Sequence, residues 1–587
     1  MTEKETVVED SDYVELPAAP VSRIFRSTAS VKFLRQLSWI AEQQAVNKIG
    51  VKMELETRRL GDAAGHRESR APRRYRVGRR PSAAVVFLLN SLTGLSLLTM
   101  PFGFQQSGVI LGSLTVFASM AVSYITATFM LEALTIANAL NYEKAEENAL
   151  ENEPERRERL RDERKNIEEK VEKGISDSPP FRKGTLEYFK EEMRKKNACR
   201  EFKIRERVEL GAMGQLVLTS EFSGTAANLI YMVIVSYTYG TASALVVTVA
   251  TSWGHTMQNI ATLCGLELDE MLAYNVSVII SFLITVPLSF ADLQKTKKFT
   301  FVIMVCRFAA ILILLLVASW QSYRRVQEEG WTTVMKGVPL WQPSGFVAVF
   351  GNSVFLFGLH HYLPSMMSPL EPQSQAPGVI RCGFGICYFL LVAVCFTALT
   401  AWGGETHAKC ASHPGGHFCS IQPLYNLNFS PLSLGGGSVA LFLLAYPAMA
   451  IASIPVAVIT TRNTIGQWLG GWLEKRGVPL ARLQESYTRP NIILTLFVVT
   501  PPFVVALITQ NVQAVIQYVG GYAGLTVAFF CPTILLYKCR QALKLDDMDA
   551  PADRPLKSSF ANRFGYTLVY CSYAIALYMV TLKLFFT

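Results

Sequence analysis

The sequence is poor in the groups that do covalent chemistry. Its 11 cysteines are scattered, mostly within apolar runs, with no CxxC pair and no zinc-ligand spacing. Buried cysteine packs as a small hydrophobe. There is no His-box among the 7 histidines, no pair of carboxylates inside an apolar run, no nucleophile motif and no repeated ring of charge. These absences speak against a membrane enzyme and against a channel, and no metal or cofactor is expected. The chain also begins without the apolar core of a signal peptide: MTEKETVVEDSDYVELPAAP is acidic and polar. Residues 1–81 are therefore expected in the cytosol. Within them Tyr13-Val14-Glu15-Leu16 has the Tyr-x-x-apolar form of a sorting signal, which points to an endosomal or lysosomal membrane, with the plasma membrane as the alternative.

What is present is apolar and basic together. The chain is 50% hydrophobic and carries a formal net charge of +10. A nucleic-acid binder would share the charge but not the repeated apolar runs of about 20 residues, so the expected surroundings are a lipid bilayer. The stretch from Pro81 to Gly108 is long enough to cross one, yet Asn90, Ser91, Thr93, Gly94 and Ser96 crowd its middle, and Pro101 follows. Such residues weaken a helix interior. In hydrocarbon, freed backbone groups are tolerated only where they are buried in protein or line a wet cavity. The helix is expected to break at Ser91–Ser96, either to bind a ligand or as a kinked packing helix with small residues at a contact.

The stretch from Ser344 to Leu370 echoes it. Asn352-Ser353 repeats Asn90-Ser91, glycines flank the pair at Gly351 and Gly358, and Leu363-Pro364 stands where Met100-Pro101 stood. Two interrupted apolar segments in corresponding halves point to the binding site of an inverted-repeat transporter.

Charge sets the orientation. The Arg-rich run before Pro81, the Glu/Lys/Arg-rich loop 141–207 and the basic runs after Thr460 and Tyr537 belong inside. Ser252–Met271, which has no Lys or Arg, and Gly403–Gly435 belong outside. Gln321–Gln342 also falls outside, where Arg324, Arg325 and Lys336 fit the charge rule worst. Cys410 and Cys419 in the Gly403–Gly435 loop are a disulfide candidate, with Cys264 competing. The same loop holds the sequon Asn428-Phe429-Ser430, weakened by Pro431. The expectation is an all-α polytopic protein of about eleven spans, in two inverted halves of about five each, with one helix appended. The halves run over 82–320 and 343–537 and the added helix over 564–586, with the C-terminus outside.

The membrane part resembles the amino acid/auxin permease family. Asn90, Gly94, Pro101 and Gly108 stand at that family's spacing, with Ser96 where a second glycine is common. Phe355, Phe357, His360 or His361 and Pro364 match its Phe-rich sixth span, and Gly520-Gly521-Tyr522-Ala523-Gly524 with Pro532 its tenth. Within the family, TATFMLEALTIANAL, RERVELGAMG, YTYG, HYLPSMMSP, LYNLNF, GGYAG and the Thr461-Arg462-Asn463 turn are similar to the orphan transmembrane protein 104 branch. The resemblance implies a LeuT-like broken-helix fold and a secondary active transporter that moves amino acids with H⁺ or Na⁺. A sensor that binds an amino acid without net transport would use the same pocket, and both readings stand.

On that fold, freed N–H groups of Thr93, Gly94 and Leu95, beside Ser96, would hold a substrate carboxylate at the positive end of a half-helix. Carbonyls of Gly351, Asn352 and Ser353 would hold its ammonium. Carbonyls at Asn90 and Ser91 with the Ser453 hydroxyl would hold the coupling ion. Tyr231, Phe355 and Phe357 would wall the pocket. His360 and His361 are candidates for proton coupling, as intramembrane histidines are by default; a structural role, bonded to a carbonyl, is the alternative. Arg307, in the middle of a span, needs a cavity or a partner, and Glu221 is the candidate partner; both join the histidines as proton-coupling candidates. Glu132 is expected to reach the cytoplasmic interface.

Overall fold

The computed structural model describes residues 80–152, 202–219, 224–290, 297–403, 420–429, 437–476, 488–543 and 556–586. The sorting signal at Tyr13–Leu16, Glu221, Cys410, Cys419 and most of the loop 141–207 lie outside them. Every element among the described residues is helical. The first half has α1 (Pro81–Leu92), α2 (Leu95–Ser107), α3 (Val109–Asn152), α4 (Leu210–Leu218), α5 (Thr225–Leu263), α6 (Glu270–Phe290), α7 (Lys297–Glu329) and α8 (Trp331–Gly337). The remainder has α9 (Phe346–Phe357), α10 (Leu363–Met367), α11 (Ala376–Trp402), α12 (Ser438–Ala445), α13 (Ser453–Lys475), α14 (Arg489–Ile508), α15 (Val512–Tyr518), α16 (Cys531–Ala542) and α17 (Arg563–Phe586). Among the described residues ten stretches are long and apolar enough to cross a membrane, and α1 with α2 makes an eleventh, bent by 55°. The chain is a multi-pass integral membrane protein.

The break in the first span has local causes. α1 starts on Pro81, whose missing N–H costs nothing at a first helical position. At its end the Thr93 N–H and hydroxyl both donate to the Leu89 carbonyl, at 2.8 and 2.7 Å, and Gly94 departs from helical geometry. The second interruption falls later in its segment than expected. α9 runs unbroken through Gly351, Asn352 and Ser353 and stops at Gly358, followed by a 3₁₀ turn at Leu359–His361. Two further spans are irregular: a 3₁₀ stretch at Tyr446–Ala452 divides α12 from α13, and π-helical turns at Val519–Gly524 and Thr526–Phe530 divide α15 from α16.

Several helices overrun the boundaries expected of them. α5 continues through most of Ser252–Met271 to Leu263, because a run without Lys or Arg marks a side of the membrane and says nothing about coil. It ends in a Schellman motif: Leu266 N–H donates to Ala261 O at 2.9 Å and Gly265 N–H to Thr262 O at 3.0 Å, with Gly265 at φ 75°. α7 and α8 occupy most of Gln321–Gln342, where Arg324–Glu328 and Arg325–Glu329 pair one turn apart. Arg325 is spent locally, its Nη1 donating to the Gly403 carbonyl at the end of α11 at 2.7 Å. The Thr461-Arg462-Asn463 turn is helix, inside α13. Asn428 is fully buried, accepting from Gln422 N–H and donating to Ser420 O, so its sequon is closed to a glycan.

The apolar side chains form two cores. One includes Leu88, Leu98, Met100, Phe104, Phe129, Phe357 and Phe384, from α1, α2, α3, α9 and α11. The other includes Val246, Tyr274, Val278, Ile454, Val458, Val498 and Phe503, from α5, α6, α13 and α14, and takes in Leu95. The broken helix thus contributes Leu95 to one core and Leu98 to the other.

Glu132 does not reach the interface. It is buried on α3 and accepts from Arg540 of α16 through both oxygens, at 2.9 and 2.8 Å, and from Ser558 N–H at 2.9 Å. Removing one member of such a pair leaves a buried charge uncompensated. Glu132→Ala should therefore cost about 3–5 kcal/mol, whereas Glu132→Leu with Arg540→Leu together should cost less than either alone. Denaturant unfolding in mixed micelles, run as a double-mutant cycle, checks this.

Candidate functional site

A cleft, open to solvent along part of its surface, lies where the first span breaks. Thr93, Gly94, Leu95 and Leu98 form one wall, Leu245 and Thr248 of α5 another, Ile303 and Arg307 of α7 a third. Tyr446, Pro447, Met449 and Ala450 of the 3₁₀ stretch close it. Two departures from α-helix, at Thr93–Gly94 and at Tyr446–Ala452, therefore face one cavity. Irregular backbone at membrane depth is tolerated in such a place.

The backbone here offers less than expected at one position and more at another. The Thr93 N–H is taken by Leu89 O. The N–H groups of Gly94 and of the first turn of α2 lie beyond the ladder of α1 and have no intrahelical acceptor. They sit at the positive end of α2, where an anionic group is favoured. A Cβ built on Gly94 would meet only Ser91 O, at 3.7 Å, so a side chain there grows into open space. Ser96, the second residue of α2, is buried and is not part of the lining.

Arg307 is the only charged residue among the described residues that line the cleft. Its Nη1 donates to the Asn90 carbonyl at 2.7 Å and to Asn90 Oδ1 at 3.2 Å. Its candidate partner Glu221 lies outside the described residues. Nor is the end of α1 left vacant for an ion held by Asn90, Ser91 and Ser453. Arg307 sits on Asn90, the Ser91 hydroxyl donates back to Phe87 O at 3.2 Å, and Ser453 begins α13 outside the lining.

The second broken segment serves the first as a brace. Thr99 Oγ1 donates to Asn352 Oδ1 at 2.9 Å, tying α2 to α9, while Asn352 Nδ2 and the Ser353 hydroxyl donate one turn back within α9. A Cβ on Gly351 would come within 2.9 Å of Gln517 Cα, so this glycine is a packing contact with α15. With α9 helical here, Gly351, Asn352 and Ser353 lend no free carbonyls to a ligand, because each lies in the hydrogen-bonded body of the helix. Phe357 is fully buried against Phe384, and Phe355 lies 6.1 Å from Tyr237 between ring centroids. Tyr231 is packed on Gly211 and stacked on Trp468, away from the cleft.

The two histidines differ. His360 is buried with Nε2 2.9 Å from Thr126 Oγ1 and 3.2 Å from Ser123 O. A carbonyl only accepts, so Nε2 carries the proton and the ring is a tie between α3 and the turn after α9. His361 sits between Tyr237 and Tyr362, and its ring nitrogens make no well-formed hydrogen bond, only a loose approach to the backbone of Gly358.

Sequence reading missed the contribution of Tyr446–Ala450. Its signal was Pro447 inside an apolar span, which removes a ladder hydrogen bond and opens the helix one turn earlier. Leu245, Thr248 and Ile303 left no such signal, being ordinary residues of regular helices.

Gly94 and Gly108 separate site from scaffold. Gly108 has φ 84°, and a Cβ there would lie 2.4 Å from the Leu340 carbonyl carbon. Around it Val109 N–H donates to Pro339 O and Gln342 N–H to Ser107 O. Gly94→Val should abolish ligand binding per folded molecule while expression and insertion persist. Gly108→Ala should lower the folded yield and leave affinity unchanged. Wild-type affinity in Gly94→Val would favour the packing kink instead. Binding normalised to the monodisperse fraction distinguishes them.

Residues 199–548 match the model of a family described as transmembrane amino acid transporter protein. The transmembrane protein 104 homolog of Dictyostelium discoideum is 26% identical over 528 residues, covering 86% of this chain and 97% of that protein. Transmembrane protein 104 of Homo sapiens is 24% identical over 482 residues, covering 78% and 88%. Among solved structures, the Eremococcus coleocola manganese transporter is similar over 88% of this chain and 87% of its own, with 12% identity and a TM-score of 0.40.

Proposed function

The chain belongs to the transmembrane amino acid transporter family, and on that premise we propose that it is a secondary active carrier of amino acids or related small zwitterions. The observation that supports this reading is the cleft at Thr93–Leu95, where irregular backbone, a helix N-terminus and a fixed cation meet. The substrate carboxylate binds the N–H groups of Gly94 and Leu95 at the positive end of α2. The apolar walls, Leu98, Leu245 and Ile303, receive the side chain.

Alternating access uses the two cores. The cleft lies at their seam, so rocking of one core against the other exposes it to opposite faces in turn. In this reading residues 1–81 and the loop 141–207 belong to the cytosolic side, and the C-terminus to the lumenal or extracellular side. A cation gradient drives the cycle, and His361, at the interruption of the sixth span, is its proton-handling group.

Proteoliposomes containing the full chain should accumulate label from a mixture of radiolabelled L-amino acids above empty vesicles, and Gly94→Val should remove that uptake. Saturable binding with no accumulation under any imposed H⁺ or Na⁺ gradient would make the protein a sensor instead.

A further inference from the structure

We infer that Arg307 is the resident cation of this site, held where a transported metal ion would otherwise sit, and that the cleft loads its ligand without Na⁺. The inference rests on reading the cleft as the transport site. It concerns the end of α1, where the helix is cut short by Thr93 and Gly94. The last carbonyls of a helix lack intrahelical donors and form its negative end. Asn90 adds a second oxygen, so its carbonyl and Oδ1 converge on one point. Neutral oxygens in that arrangement suit a hard cation, and carbonyl ends of broken helices serve that purpose in membrane carriers.

In this chain the point is filled. Arg307 Nη1 lies 2.7 Å from the carbonyl and 3.2 Å from Oδ1. A guanidinium cannot be deprotonated in a protein, so the charge is permanent. A second cation within ~4 Å would meet strong repulsion in so poorly screened a place. Arg307 also lines the cleft, and no acidic residue among the described residues shares the lining. Nη1 is committed to Asn90, and among the described residues no hydrogen bond is made by Nε or Nη2, whose N–H groups suit an anion. An Arg inside a membrane without a carboxylate beside it is costly. A ligand carboxylate, arriving at the Gly94 and Leu95 N–H groups, supplies a counter-charge within the cleft. The side chain thus does what a co-transported Na⁺ would do, balancing the carboxylate and bridging it to α1. A cation that drives transport must then act elsewhere, which leaves the proton.

The test uses Na⁺ alone as the probe, with the full chain in lipid nanodiscs and thermal unfolding as the readout. Matched NaCl, KCl and choline chloride should give one melting temperature for the wild type. Arg307→Lys, which keeps a cation in place, should be equally indifferent. Arg307→Ser vacates the two oxygens, so it should melt lower and regain stability in NaCl specifically, by mass action. A Na⁺-specific rise in the wild type would overturn the inference. So would a folded Arg307→Ser that ignores Na⁺, because its oxygens would then be no cation site. If Arg307→Ser does not fold, the wild type and Arg307→Lys still decide, since a Na⁺-specific rise in either overturns the inference and indifference in both supports it. The cargo does not enter this measurement, so failure of the amino-acid reading in the uptake assay and failure here are separate events.

Discussion

The structure depends on one constraint: at membrane depth a helix that stops must find new partners for its freed backbone groups. At Thr93–Gly94 they are found in three ways. Thr93 turns back onto Leu89, Arg307 reaches across from α7 to Asn90, and the N–H groups starting α2 face a cleft instead of hydrocarbon. The cavity is the consequence of the third. A continuous helix here would have needed no Arg307 and left no binding surface.

The same constraint explains two of the buried arginines. Arg325 donates to Gly403 O at the end of α11, and Arg462 approaches Ser289 O near the end of α6 at 3.4 Å, with Thr495 Oγ1 at 3.1 Å. With Arg307 on Asn90, three spans have a guanidinium at their carbonyl end. A cation there is favoured by the helix dipole and satisfies carbonyls that have no donor of their own. Arg540 is different in kind, since its bidentate pair with Glu132 joins α3 to α16. Among these, Arg307 lines the cleft, which is why it bears on ligand binding.

The breaks were legible to different degrees, for physical reasons. Thr93–Gly94 was readable because glycine and hydroxyl residues weaken a helix wherever they stand, whatever surrounds them. The repeat of Asn-Ser at Asn352-Ser353 misled, because the same dipeptide can also serve inside a helix. There Asn352 and Ser353 bond one turn back, and Asn352 receives Thr99, so they stabilise α9 and its contact with α2. Loop boundaries failed likewise at Ser252 and Gln321: charge content reports which side of the membrane a segment occupies, and helix ends depend on caps such as Gly265.

By itself the sequence determined the membrane class, the number of spans and the place of the first break, since these follow from apolar length and local backbone preference. The tertiary structure alone decided which distant groups meet there. Arg307 lies 217 residues from Asn90, and Tyr446 more than a hundred further on. Glu132 meets Arg540 across 408 residues. No periodicity or composition encodes such pairs, because they are set by how the helices pack and by which freed oxygen each buried charge can reach.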